Sequence, residues 1–298
     1  MKRLIVIDAN AVIHRAFHAL PPLKTKKGEL VNAIYGFLLV FFKGISEFEP
    51  DYVVAAFDFP DKTFRHQKYK LYKANRKKAS DELYNQIPKI KQILTDFNIK
   101  VFEKKGFEAD DLIGTISKTA SKRQIYPELE TIILTGDLDA LQLVDKNIKV
   151  YTLRKGVKDT VLYDKEEVKE KYDGLNPDQL IDYRALRGDP SDNIPGVTGI
   201  GEKTAISLLK EYKTLDNIYN NIRDIKESIR KKLIDYKDQA YISKMLAQIK
   251  IDVPLDFDLE KCAFKDYNKD KMREVLEKYE FKTLIDRLSG SKENLTLL

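Results

Sequence analysis

Leu4-Ile5-Val6-Ile7-Asp8, Tyr52-Val53-Val54-Ala55-Ala56-Phe57-Asp58 and Thr131-Ile132-Ile133-Leu134-Thr135-Gly136-Asp137-Leu138-Asp139 are three apolar runs that each end in aspartate. They are rich in Val and Ile, long enough for a strand and too short for a helix, so they read as buried parallel strands. Open α/β sheets bind ligands outside the carboxyl ends of their strands. The reading therefore gathers Asp8, Asp58, Asp137 and Asp139 at one edge of one sheet. Carboxylates brought together repel one another unless something positive lies between them, and a hard divalent cation is the usual solution.

Outward from these strands, residues 11–20 start a helix that Pro21-Pro22 stops, and residues 33–48 read as a mostly buried helix. Residues 61–85 are polar, basic and dotted with Phe64, His66, Tyr69 and Tyr72. This stretch follows a strand's carboxyl end, where a functional loop or lid is expected. Helix 87–97 and strand 99–102 lead to Glu108-Ala109-Asp110-Asp111, which opens another helix. A helix at 140–143, a strand at 148–152 and a turn at Gly156 close a first domain at residue 175. Asn176-Pro177 marks a helix start, and from there the chain turns helical. Helices are expected at 179–187, 205–212, 225–234, 240–249 and 271–288, followed by a tail at 289–298.

The 298 residues suit one large domain or two smaller ones. The formal net charge is +6, from 53 Lys and Arg against 47 Asp and Glu, and its distribution says more than its size. Residues 62–78 hold eight Lys or Arg and no acid. An acidic sheet edge beside a basic stretch suits an anionic polymer held over metal ions. Cys262 is the only cysteine, which excludes an internal disulfide and a Cys-rich zinc site. No signal peptide is read at the start, and the longest apolar run, 33–42, is too short to span a bilayer. A cytoplasmic location is expected by elimination.

Each constellation has a plainer competitor. Acids at a helix start are favoured by the backbone dipole, so Glu108, Asp110 and Asp111 could be mere capping. Asp189 and Asp192, like Glu108 and Asp111, have the spacing of one helical face. Nine acids at strand ends and helix starts favour a metal site. Tyr72-Lys73-Ala74-Asn75-Arg76 joins cations for phosphate to an aromatic face for bases; a solvated helix is the alternative, but no interleaved acids pair its charges. Residues 196–204, Gly-Val-Thr-Gly-Ile-Gly-Glu-Lys-Thr, are neither a P-loop nor a dinucleotide fingerprint. They read as a Gly-rich hairpin between helices, open to a phosphate or to nothing. His14 reads equally as core, as surface or as a neighbour of the metals.

Taken together, these motifs resemble the 5′-nuclease (flap endonuclease) superfamily, most of all the 5′→3′ exonuclease domains of bacterial DNA polymerase I. The resemblance covers residues 1–288. It rests on Phe64-Arg65-His66 with 72–76, on Gly106-Phe107-Glu108-Ala109-Asp110-Asp111, on residues 135–139, and on Gly188-Asp189-Pro190-Ser191-Asp192-Asn193-Ile194-Pro195-Gly196 through Thr204. It implies that Asp8, Asp58, Glu108, Asp110 and Asp111 serve a first metal, and that Asp137, Asp139, Asp189 and Asp192 serve a second. Lys73 and Arg76 would reach the scissile phosphate from a helical arch. His14, Arg65, Tyr72, Gly199, Gly201, Lys203 and Thr204 would touch DNA. The hairpin would be a helix-three-turn-helix with a potassium ion on the carbonyls of Val197 and Ile200. Leu138 stands where the family usually has Lys, His14 where it has Tyr or Phe, and Lys77-Lys78 where prolines often follow.

The expected fold is α/β, with a mostly parallel central sheet flanked by helices and an arch over 1–175, then an all-helical subdomain over 176–288. The expected function is a structure-specific 5′ nuclease using two Mg²⁺ or Mn²⁺. It would act as a monomer on DNA carrying a 5′ single strand joined to duplex. The competing readings are a non-catalytic DNA-binding relative and a PIN-type ribonuclease.

Overall fold

The structure, a computed structural model, describes residues 1–121, 128–157, 159–264 and 269–289. The strands are β1 (Arg3–Asp8), β2 (Tyr52–Ala56), β3 (Lys100–Phe102), β4 (Glu130–Thr135), β5 (Ile148–Lys155) and β6 (Asp159–Tyr163). They form one sheet in the order β3-β2-β1-β4-β5-β6, with only the β5–β6 pair antiparallel. The first helices are α1 (Ala9–Ala19), α2 (Asn32–Phe48), α3 (Phe64–Lys68), α4 (Asp81–Tyr84), α5 (Ile87–Asp96), α6 (Ala109–Ser121) and α7 (Lys165–Lys171). Strand order reverses between β1 and β4, which places the ligand crevice beside those two strand ends.

The continuous apolar runs are explained by cover on both faces. Ile5 and Ile7 of β1 pack with α1, α2 and α5, whereas Leu4 and Val6 pack with α6. Alternation along a strand thus serves two cores at once. Among the described residues no helix is long and apolar enough to cross a membrane.

A third core belongs to α8 (Leu180–Arg187), α9 (Glu202–Tyr212), α10 (Leu215–Asn220), α11 (Glu227–Asp235) and α12 (Lys237–Ala247). Its members run from Leu175 to Ala240 and include Tyr183, Leu186, Leu209 and Leu233. Between α8 and α9 the chain meets itself closely. Gly188 and Gly196 have φ of 80° and 63°, and a Cβ on Gly196 would lie 2.3 Å from the Gly188 nitrogen. Only glycine fits at both points.

Several expectations need correction. The segment at 139–143 is a 3-10 turn (Asp139–Leu143), not an α-helix, and β6 was not foreseen. Residues 61–85, read as a functional loop or lid, carry two short helices, α3 and α4, with turns between them. The single helix expected at 271–288 is two, α13 (Lys269–Lys278) and α14 (Lys282–Ser289), separated by Glu280 at φ 61°. These two helices do not join the helical module. Met272, Val275, Leu276, Phe281 and Leu284 pack with Phe37, Phe41 and Phe97 on the sheet, and Ile249, Val253 and Leu259 pack on its other face. Apolar periodicity showed that these segments were helical, but not which core they would cover. Of the expected tail, residues 290–298 lie outside the described residues.

Candidate active site

β1 delivers Asp8 to the start of α1, where Oδ1 accepts the Ala11 amide at 3.1 Å. The parallel register sets Ile7 beside Leu134, so Asp8 lies beside Thr135, whose hydroxyl donates to Asp8 Oδ2 at 2.5 Å. The same hydroxyl accepts the Asp137 amide at 2.9 Å, and Asp137 Oδ1 accepts the Asp139 amide at 2.9 Å. Asp58, two residues past β2, accepts the Ala109 amide at the start of α6, at 2.8 Å. Its own amide donates to Asn10 Oδ1 at 3.1 Å.

The electrostatics show how tightly these acids are gathered. Burial pushes the Asp8 carboxyl up to about 7, and the charges of Asp58 and Asp137 add to it, against hydrogen bonds from Thr135 and Ala11. Loss of solvent raises Asp110 well above the carboxylate range, with Asp8, Asp137 and Glu108 adding to the shift. Asp139 is pushed up to about 7 by burial and then by Asp137. Such shifts mark an all-oxygen group short of positive charge, and that donor set fits a hard divalent cation. Among the described residues no three His, Cys, Asp or Glu side chains are placed so as to hold a metal ion together; the acids line a shared edge.

Cations already lean on part of that edge. Lys73, at φ 54°, donates its backbone amide to the Asp192 carbonyl at 2.9 Å and its ammonium to Glu108 Oε2 at 2.9 Å. Arg76 pairs with Asp192. Asn75 donates to the Pro190 carbonyl and Asn193 to the Leu71 carbonyl, each at 2.7 Å. The basic stretch is therefore laid against the 189–193 loop, with Lys73 beside Glu108 and Arg76 beside Asp192. Burial alone would raise the Glu108 carboxyl, but Lys73 and then Arg65 outweigh it and hold it below its ordinary range.

Three expected residues are placed otherwise. Arg65 is 2% exposed. It donates to both Asp111 oxygens and to the Leu246 and Gln248 carbonyls, each at 2.8 Å. Its guanidinium is a buried clamp with no face open to solvent. Asp111 is fully buried, and its oxygens also accept the Glu108 and Lys250 amides, which leaves no free edge for a metal. Tyr72 is 3% exposed and packs with Ile194, Leu246 and Ala247. Its hydroxyl lies 3.0 Å from Glu108 and 3.2 Å from Asp192, so the ring offers no face to a base.

The second acid group joins the two domains. Asp139 follows β4, and Asp189 and Asp192 follow α8. Asp189 Oδ1 accepts the Ser191 amide and hydroxyl. Arg184, on α8, lies between Asp139 at 2.7 Å and Asp189 at 3.5 Å. His14 is half-buried and feels the charges of Asp58 and Arg76, which places it beside the acids; burial and then His18 lower its pKa. At the hairpin, Gly199, Gly201 and Lys203 are exposed, Thr204 is half-buried, and Val197 and Ile200 are buried. The Val197 carbonyl accepts the Ile200 amide, and Lys232 donates to the Gly199 carbonyl at 2.9 Å.

Sequence reasoning missed Asn10, Thr135 and Arg184 as site residues. Thr135 had a signal, a polar residue closing an apolar run. Arg184 had none, because its closer partner, Asp139, lies 45 residues away.

Two family models match the chain: "5′-3′ exonuclease, N-terminal resolvase-like domain" over residues 3–173 and "5′-3′ exonuclease, C-terminal SAM fold" over residues 175–270. The DNA polymerase I of Caldicellulosiruptor bescii is 47% identical over 97% of this chain and 34% of its own length. That of Bacillus subtilis is 40% identical over 96% of this chain and 32% of its own. The chain thus spans about a third of these relatives. Among solved structures, a T5 5′-exonuclease with bound zinc ions superposes with a TM-score of 0.69 at 18% identity, covering 97% of this chain and all of that one. The catalytic core of Rad2 in complex with a DNA substrate gives 0.60 at 19% identity, covering 98% and 90%. At such identities the likeness is one of fold. The two models together account for the sheet and for the helical module, and the chain belongs to the 5′–3′ exonuclease family of nucleases.

Proposed function

We propose that this chain is a divalent-metal-dependent 5′ nuclease that cuts DNA near the junction of a 5′ single strand with duplex, in replication or repair. The carrying observation is the group of carboxyls at the β1–β4 crevice, Asp8, Asp110 and Asp139, all raised by burial and by the charge of Asp137. Asp8, Asp58, Glu108 and Asp110 would hold one ion and Asp137 and Asp139 a second, with Asp189 and Asp192 ordering the latter. Bound ions supply an activated water and neutralise the phosphodiester's charge.

The chain's own residues do the rest. Lys73 and Arg76, already charged and beside the acids, pass from Glu108 and Asp192 to the scissile phosphate and neutralise charge growing there. His14, at the mouth of the crevice, contacts the strand entering it. Gly199 and Gly201 let duplex backbone approach the exposed start of α9, where Lys203 and Thr204 offer donors. Mg²⁺ or Mn²⁺ suits the oxygen donors, and a potassium ion suits the hairpin carbonyls. The protein acts as a monomer.

The test is cleavage of a labelled 5′-flap DNA with and without Mg²⁺, beside a 3′ flap, a blocked 5′ flap and a plain single strand. Metal-dependent cutting of the free 5′ flap supports the reading. Equal cutting of both flaps refutes the polarity. Asp137→Ala should abolish cleavage while leaving binding nearly intact.

A further inference from the structure

Not every cation on the acid edge is of one kind. The Arg76 side chain is 50% exposed, so it can leave Asp192 when a phosphate arrives. The Arg184 side chain is 17% exposed and rises from the middle of α8. That helix is fixed on one side by Leu180 in the sheet core and on the other by Tyr183, Ala185 and Leu186 in the helical core. Its guanidinium reaches Asp139 Oδ1 at 2.7 Å and Asp189 Oδ2 at 3.5 Å, so one buried charge spans carboxylates from both domains. Asp189 Oδ1 is already taken by Ser191.

We propose that Arg184 is a resident counter-cation which stays between Asp139 and Asp189 and sets how tightly the second divalent ion binds. The inference rests on reading these acids as a metal site. With Arg184 in place, Asp189 is occupied on both oxygens and Asp139 on one. A second ion then finds Asp137 and the remaining Asp139 oxygen as direct ligands, and it must bind beside a fixed positive charge. Both effects weaken it. An ion so held keeps much of its water, as Mg²⁺ does at sites with one or two carboxylates, and substrate phosphate completes its shell. In this role Arg184 is a positioning residue: it acts through Asp139 and Asp189 without touching substrate. It also keeps the two carboxylates from driving the domains apart before any ion arrives.

The test is Mn²⁺ uptake by the whole chain without DNA, measured by calorimetry for the parent, Arg184→Gln and Arg184→Lys, with melting curves in EDTA. Arg184→Gln should tighten the weaker Mn²⁺ site at least about tenfold while lowering the metal-free melting temperature. Arg184→Lys keeps the charge but cannot span both carboxylates, so its weaker site should tighten less than that of Arg184→Gln. If Arg184→Gln is too unstable for calorimetry, the rise of its melting temperature with Mn²⁺ concentration gives the same affinity. An isotherm unchanged or weakened in Arg184→Gln, beside a lowered melting temperature, would reduce Arg184 to a structural tie and overturn the proposal. So would tightening in Arg184→Lys equal to that in Arg184→Gln. No Mn²⁺ uptake by the parent would overturn the metal reading itself, and this inference with it.

Discussion

The Thr135 hydroxyl donates to Asp8 across adjacent strands and accepts the Asp137 amide, so a single oxygen fixes two carboxylates carried by different strands. Thr135→Val keeps the shape and removes both bonds. It should cost about 1–3 kcal/mol of stability, because the Asp137 amide loses its partner. The single-turnover cleavage rate should fall at least about tenfold. Urea unfolding and rapid-quench cleavage of a 5′ flap measure the two effects, and a variant cutting at full rate would show that other contacts hold the pair.

The raised carboxyl of Asp8 makes metal-free stability depend on pH. Its ordinary value is 3.8 and its folded value is about 7, so the folded chain binds this proton more tightly than the unfolded chain. The contribution is full below the unfolded value and is lost as pH rises through the folded one. In EDTA, Asp8 should therefore stabilise the protein at pH 5 relative to pH 7.5 by on the order of a few kcal/mol. His14 and His66, whose pKa values burial lowers, act in the opposite sense. The difference between the parent and Asp8→Asn isolates the carboxyl: the variant should fall less steeply in stability with rising pH, while Asp110 and Asp139, also raised, keep their own share. Parallel pH–stability curves for the two proteins would contradict the assignment.

Arg65 separates burial from DNA contact. Arg65→Met breaks a buried bidentate pair and leaves Asp111 charged and unpaired, which should cost about 3–5 kcal/mol of stability. The dependence of DNA affinity on salt should be unchanged, whereas loss of a phosphate contact would lower its slope by about one. Chemical denaturation and a salt titration of flap binding read the two quantities independently.

Lys73 should act on rate more than on affinity. Lys73→Ala should lower the single-turnover rate by on the order of a hundredfold or more, with only a few-fold change in binding. It should also let the Glu108 carboxyl rise, since Lys73 is the largest influence holding it down against burial. A loss confined to affinity would make Lys73 a positioning contact.

The strand ends and the acids on them were legible because a strand's length and its terminal residue are local properties. What was not legible was the direction in which side chains point. Arg65 and Tyr72 have the composition of a nucleic-acid surface, yet α3 and the turn after it press both inward against Leu246 and Ala247. Asp111 shares a helix face with Glu108 by spacing, but Arg65 claims it. Arg184 was silent, since its partners lie 45 residues before it and five after it. In each case the deciding contact is between remote segments, which periodicity and motif spacing do not encode.

The return of α13 and α14 to the sheet has a consequence for the order of folding. Chains emerge from synthesis amino end first. The helical module has every member of its own core once Ala240 is available. The face of α2 bearing Phe37 and Phe41 waits for Met272 through Leu284, and Tyr35 waits for Phe281, against which its ring rests at 5.1 Å. The earlier-made half of the molecule is thus the later to close. Until α13 and α14 arrive, an aromatic patch on α2 stands open to other chains, and a ribosome pausing between residues 240 and 284 would hold the protein in its most adhesive state.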